Sequence, residues 1–147
     1  MYSRLNSVND SSLSDLEQKS GIRIPESYRK FLINDSGGQP RKNNFYKELS
    51  SGGVFDFEID TFLGVSEDLS FNIFHTYSIM LGVIPSNLLT IAYDGIGNKI
   101  CIGLEVQRLG QIYIWWSDKN TSSHGKPDFK NVEFLAGSWS DFISHLQ

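Results

Sequence analysis

The sequence predicts an α+β domain, with helices packed against a mostly antiparallel central sheet, and three observations carry that expectation. Helical periodicity sits at both ends of the chain, as two short helices at the start and one at the finish. β-rich runs fill the middle. The last of those runs follow one another through short Gly- and Asn-bearing turns, which makes a meander rather than alternating βαβ units. At 147 residues, the whole length 1–147 is read as a single domain with one core.

The run Asn9-Asp10-Ser11-Ser12 offers side-chain oxygens that can accept from the free amides of a first helical turn. A short helix follows with Leu13 and Leu16 on one face, and it ends near Ser20-Gly21, where glycine tolerates a left-handed cap. Ile24 precedes a proline and is expected outside the next helix, with Pro25 as that helix's first residue. Tyr28, Phe31 and Leu32 form its buried stripe. Gly37-Gly38 ends it, the first glycine supplying the left-handed position, and Pro40 prevents resumption. The two helices are expected as an antiparallel pair.

The period then changes. In Val54–Asp60, Phe55, Phe57 and Ile59 alternate with Asp56, Glu58 and Asp60, which predicts a half-buried strand with an acidic outer face. Leu69, Ile73, Phe74 and Tyr77 predict a third helix starting near Ser66. Leu89–Tyr93 and Lys99–Leu104 read as a hairpin around the loop Asp94–Asn98, whose Asp94 and Asn98 are expected to bond loop amides. A turn at Arg108–Gln111 leads into Ile112–Trp116, completing a three-stranded meander; residues 117–128 read as a long loop. Ser138 caps a final helix carrying Trp139, Phe142, Ile143 and Leu146.

Composition excludes several function classes. A chain with 39% apolar and 13% aromatic residues is not disordered. One cysteine, Cys101, permits no internal disulfide and suits a reducing compartment. No basic n-region and apolar run follow Met1, and no apolar stretch approaches the roughly 20 residues of a membrane helix. The expected location is the cytoplasm, with no membrane partner. The net charge of −4 disfavours nucleic acid as a partner. Its distribution says more: residues 51–98 hold Asp56, Glu58, Asp60, Glu67, Asp68 and Asp94 and no Lys or Arg. That field steers a basic partner toward the middle third.

Few residues suggest chemistry. Asp56, Glu58 and Asp60 lie about 6.6–6.8 Å apart on one strand face. They read as a solvated face, as a grip for Arg and Lys of a partner, or, least favoured, as a catalytic pair, since no nucleophile or metal-ligating histidine stands nearby in sequence. The Gly-x-Gly of the Asp94–Asn98 loop opens no helix, so a structural turn is a better account than a phosphate cradle. His75, His124 and His145 have no ligand spacing, and Cys101 reads as a core thiol. Trp115 and Trp116 point to opposite faces of a strand, so one is core and the other is either covered or a partner anchor.

The order of segments resembles a known family. Leu16-Glu17, Ser20-Gly21-Ile22, Ile24-Pro25, Tyr28, Phe31-Leu32 and Ser36-Gly37-Gly38 are similar to the opening signature of the SUKH superfamily, and within it to the family of the fungal Smi/Knr cell-wall-synthesis regulator. Phe62-Leu63-Gly64, Ile91-Ala92-Tyr93-Asp94, Gly97-Asn98, Ile112-Tyr113-Ile114-Trp115 and Ser138-Trp139 with Phe142-Ile143 continue the likeness. Where members commonly have Asn-Gly-Gly, this chain has Ser36-Gly37-Gly38. The resemblance implies helices on a mostly antiparallel sheet, with no catalytic residues to carry over; no cofactor and no metal are expected. Bacterial members are implied to be immunity proteins that bind and block a toxin, whereas fungal ones act as regulators and scaffolds. The expected partner is therefore a cognate toxin with a basic surface, met by Asp56, Glu58, Asp60, Glu67, Asp68, Asp118 and one tryptophan of the pair, taken as Trp116. The chain itself is expected to be a monomer or weak dimer.

Overall fold

The structure, a computed structural model, describes residues 5–117 and 128–147. Helix α1 (Asp10–Ser20) starts where Asn9 and Ser12 cap one another's backbone amides reciprocally, and stops at Gly21, whose φ of 75° lets its N–H reach the Glu17 carbonyl. Helix α2 (Glu26–Asp35) begins one residue later than expected. Pro25 has an extended ψ of 141° and stands at the cap, its carbonyl accepting from Arg29 N–H. The helix ends on Ser36 rather than Gly37: Ser36 itself takes the left-handed conformation, at φ 65°.

Six strands form one antiparallel meander in sequence order: β1 (Asn44–Glu48), β2 (Val54–Phe62), β3 (Leu88–Asp94), β4 (Lys99–Gly103), β5 (Ile112–Trp115) and β6 (Val132–Ala136). The first and last strands are additions to the sequence reading. The sheet curls until its edges approach, because the Lys47 ammonium on β1 donates to the Leu135 carbonyl on β6 and lies over the Phe134 ring. The outer edge of β1 is covered by the C-terminal tail, through paired bonds between Asn44 and Gln147 and a bond from Tyr46 N–H to the His145 carbonyl.

One sheet face holds the main core. Leu89, Ile91, Ile100, Ile102, Ile112 and Ile114 meet Leu13, Tyr28 and Leu32 of the N-terminal helices and Phe142 of helix α4 (Trp139–Ser144). Trp139 packs on Tyr28, Phe31, Phe62 and Phe142 with ring centroids 5.1–5.8 Å apart, so the α2–α4 seam is aromatic throughout. The other face carries a smaller cluster of Ile84, Leu88, Cys101, Tyr113 and Trp115, with Met80 of helix α3 (Ile73–Met80) against it.

Helix α3 starts later than the expected Ser66. The Asn72 side chain accepts from the amides of Phe74 and His75 and so sets the start, while Asp68 caps a separate 3-10 turn at Leu69–Phe71. Among the described residues, no helix is long and apolar enough to cross a membrane.

Candidate functional site: an acidic hairpin face

Alternation on β2 does what the sequence expects. Phe55 and Ile59 are buried in the main core with Phe57 packed against it, whereas Asp56 and Glu58 are exposed on the opposite face and Asp60 is half-buried. Register then adds what sequence reading missed. Tyr46 pairs with Asp56, Asn44 with Glu58, and Glu48 with Val54, so Asn44, Tyr46 and Glu48 share the acidic face. Glu48 is a fourth carboxylate there, found only once β1 is recognised as a strand. The alternation of buried Phe45 with Asn44 and Tyr46 was the available signal.

The face is partly organised. Asn44 Nδ2 donates to Asp56 Oδ1 at 3.1 Å, and the Tyr46 hydroxyl donates to Glu48 Oε1 at 3.4 Å. Both interactions fix a carboxylate and leave its charge in place. Lys47 points to the other side, toward β6. A register irregularity between Ile59 and Thr61 lets the strand turn at Asp60. Arg41 and Lys42 precede β1 at this Asp60 end, so the densest negative stretch is Glu48, Asp56 and Glu58.

The remaining expected residues do not join that face. Glu67 and Asp68 are exposed in the connection after β2, and Asp68 Oδ1 is engaged by Ser70 N–H. Trp116 follows β5, three strands from β2, or roughly 14 Å across the sheet. Its ring packs against the main core, and its indole N–H donates to Glu133 Oε1 at 2.8 Å. Trp115 turns instead toward the smaller cluster, on the acids' side of the sheet, and is only 5% exposed. The pair thus splits between the two faces as alternation requires. Asp118 and His124 lie outside the described residues.

The β3–β4 loop is a rigid turn. Asp94, 5% exposed, accepts from the amides of Ile96 and Asn98 and from Asn98 Nδ2, at 2.8–3.0 Å. Asn98 goes further than the loop: its Oδ1 accepts from Ser117 N–H and Ser117 Oγ–H, tying the turn to the end of β5. Cys101 is fully buried beside Thr90, and that burial pushes its thiol up to about 12. Among the described residues, no three His, Cys, Asp or Glu side chains gather as a metal site.

Two grooves flank α2. One, of about 550 Å³, runs between α1 and α2 over Arg29. Arg29 is nearly buried, pairs with Asp10 and Glu17 and donates to Ser14 Oγ, and the Asp10 bond raises its already high pKa. Glu17 also accepts from Ile24 N–H, so this network fastens α1, the linker and α2 together. The other groove, of about 600 Å³, lies between α2 and the start of α4 and is floored by Phe31 and Trp139.

The signature residues are the ones that close the fold. The Tyr28 hydroxyl donates to the carbonyls of Leu63 and Ile91, joining α2 to β3 and to the end of β2. Gly38 exchanges backbone bonds with Phe62, at 2.8 and 2.9 Å. A Cβ on Gly64 would stand 2.4 Å from the Ser36 carbonyl, and one on Gly37 2.9 Å from that of Phe62. The motifs Ser36-Gly37-Gly38 and Phe62-Leu63-Gly64 are therefore two halves of one close backbone crossing. No curated protein and no solved structure matches the chain. A family model does, over residues 7–145, and with that match the chain belongs to the SMI1 / KNR4 family (SUKH-1).

Proposed function

We propose that this chain is a non-enzymatic immunity protein that neutralises a cognate, nuclease-type toxin in the cytoplasm by direct contact. The observation that carries the reading is the outer face of the β1–β2 hairpin, where Glu48, Asp56, Glu58 and Asp60 stand in a chain whose residues 51–98 hold no Lys or Arg. Enzymes that act on nucleic acid concentrate Lys and Arg around their sites, and an acidic protein associates quickly with such a surface and occludes it. Membership in the family is compatible with this role. Glu67 and Asp68, exposed in the connection after β2, belong to the proposed interface as flanking contacts.

The test uses the protein encoded by the adjacent reading frame. Co-expression with the wild-type chain protects cells from it, and stopped-flow mixing shows association slowing as salt rises. The variant Asp56→Lys/Glu58→Lys/Asp60→Lys associates about tenfold or more slowly at low salt, with a flatter salt dependence. Unchanged kinetics in that variant would remove the hairpin face from the interface. Absence of any protection would favour the regulatory or scaffolding role of the fungal relatives.

A further inference from the structure

The turn that joins β3 to β4 carries an aliphatic side chain at its tip. Ile96 is 82% exposed, yet its backbone is held fast: its N–H donates to Asp94 Oδ1 at 3.0 Å, and the buried Asp94 also accepts twice from Asn98. Asn98 in turn accepts from Ser117, which ties the turn to the end of β5. The side chain is branched at Cβ and has little rotamer freedom to lose. Gly95 and Gly97 flank Ile96 and leave its sides bare. Gly97 needs glycine for its φ of 99°. Gly95 does not: it has no positive φ, and a Cβ there would meet nothing within 4 Å. A glycine that no neighbour requires, beside an exposed aliphatic group, leaves room for another chain's backbone to come close. The turn also borders the acidic hairpin face, because Asp94 pairs with Ile59, which stands between Glu58 and Asp60. The Ile96 backbone therefore lies at most roughly 17 Å from that of Glu58, whereas a standard interface patch of about 800 Å² is roughly 30 Å across.

We propose that Ile96 is the apolar anchor of the toxin interface, seated in a pocket of the basic partner while the hairpin acids meet that partner's Lys and Arg. The anchor rests on the immunity reading and extends that interface beyond the acids. Charge selects the occupant. The turn belongs to the stretch 51–98 without Lys or Arg, so a basic surface is drawn to it and a second copy, carrying the same acids, is repelled. Lys99, the next base along the chain, is turned back over the Tyr93 and Trp115 rings. The two kinds of group divide the work. Exposed carboxylates act at long range, set how fast the partners meet and are screened by salt. A buried aliphatic contact acts only at short range and sets how long they stay together. Because the turn is already fixed by Asp94 and Asn98, Ile96 brings its area to the interface at little ordering cost.

Association and dissociation rates with the protein encoded by the adjacent reading frame test it on the full chain. Ile96→Ser dissociates about tenfold or more faster than the wild type, the effect of losing one buried aliphatic contact, while its association rate and salt dependence stay the same. Gly95→Ala, which puts a methyl group where the partner approaches, also dissociates faster, without loss of thermal stability. Val106→Ser, at a side chain 93% exposed beyond the other end of β4, leaves both rates unchanged. Thermal melting of each variant confirms that it is folded. Dissociation of Ile96→Ser at the wild-type rate overturns the anchor alone, and so does equally fast dissociation of Val106→Ser; the hairpin reading is judged separately, by the association rate of Asp56→Lys/Glu58→Lys/Asp60→Lys. A wild-type chain that does not bind that protein at all overturns both.

Discussion

At the scale of single residues, the polar groups the fold buries are fasteners. Arg29 is one: a guanidinium presents five donors in a fixed fork, and here Asp10, Ser14 and Glu17 take them from three successive turns of α1. Cys101 is the opposite case, a titratable group held neutral. The unfolded thiol ionises near its ordinary value of 9.0, whereas the folded one resists until about 12. The folded chain therefore keeps its proton while the unfolded chain loses it, and stability falls as pH rises through that window. Below pH 9 the contribution is fully present. The stability margin of the wild type over Cys101→Ala, measured by urea unfolding, is expected to be flat from pH 6 to about 9 and to shrink above it. A margin constant to pH 11 would show that the thiol ionises in place. The same burial predicts that an aromatic disulfide reagent leaves Cys101 unmodified in the native protein at neutral pH and labels it once the chain is unfolded.

At the scale of elements, the family signature is a packing device. Gly64 does not have the positive φ that favours glycine; it is required because the backbone after Ser36 crosses directly over it. Gly64→Ala is expected to cost about 2–3 kcal/mol, since the methyl group meets a backbone carbonyl that cannot turn aside as a flexible side chain would. Gly53→Ala, where the nearest neighbour is the Leu49 side chain at 3.8 Å, serves as the control and costs much less. Equal urea midpoints for the two variants would contradict the crossing. The β1–β2 hairpin shows a second use of an element. Its inner face supplies Phe45, Phe55 and Ile59 to the core, which frees its outer face to carry like charges that weaken the strand pair slightly.

At the scale of the whole molecule, the meander becomes a closed unit because its two ends are clasped. Lys47 and Leu135 stand 88 residues apart in the chain, yet one bond joins the first strand to the last. Lys47→Met keeps the aliphatic stem over Phe134 and removes the donor. It is expected to cost about 1–2 kcal/mol in urea unfolding, the worth of a charge-assisted bond at a half-buried site. A variant as stable as the wild type would show that the curl of the sheet needs no clasp. Glu48 reaches the proposed interface through the pairing of β1 with β2, so the hairpin's charge depends on that register.

Helices α1, α2 and α4 and the meander β3–β5 were legible in the sequence, because caps, heptad-like spacing and Asp/Gly/Asn turns act within a few residues of themselves. The outward direction of Asp56, Glu58 and Asp60 was legible for the same reason, as strand alternation is local. β1 and β6 were not: Asn44–Glu48 and Val132–Ala136 are five-residue edge segments that become strands only through partners elsewhere in the chain. The start of α3 at Asn72 was likewise decided by a side-chain cap that competed with several equally plausible ones upstream. Tertiary structure alone added Glu48 to the acidic face and placed Trp115 on the acids' side of the sheet and Trp116 on the core side. The physical reason is that local preference is set by covalent neighbours, whereas register, curl and the sharing of a face are set by contacts whose partners lie tens of residues away.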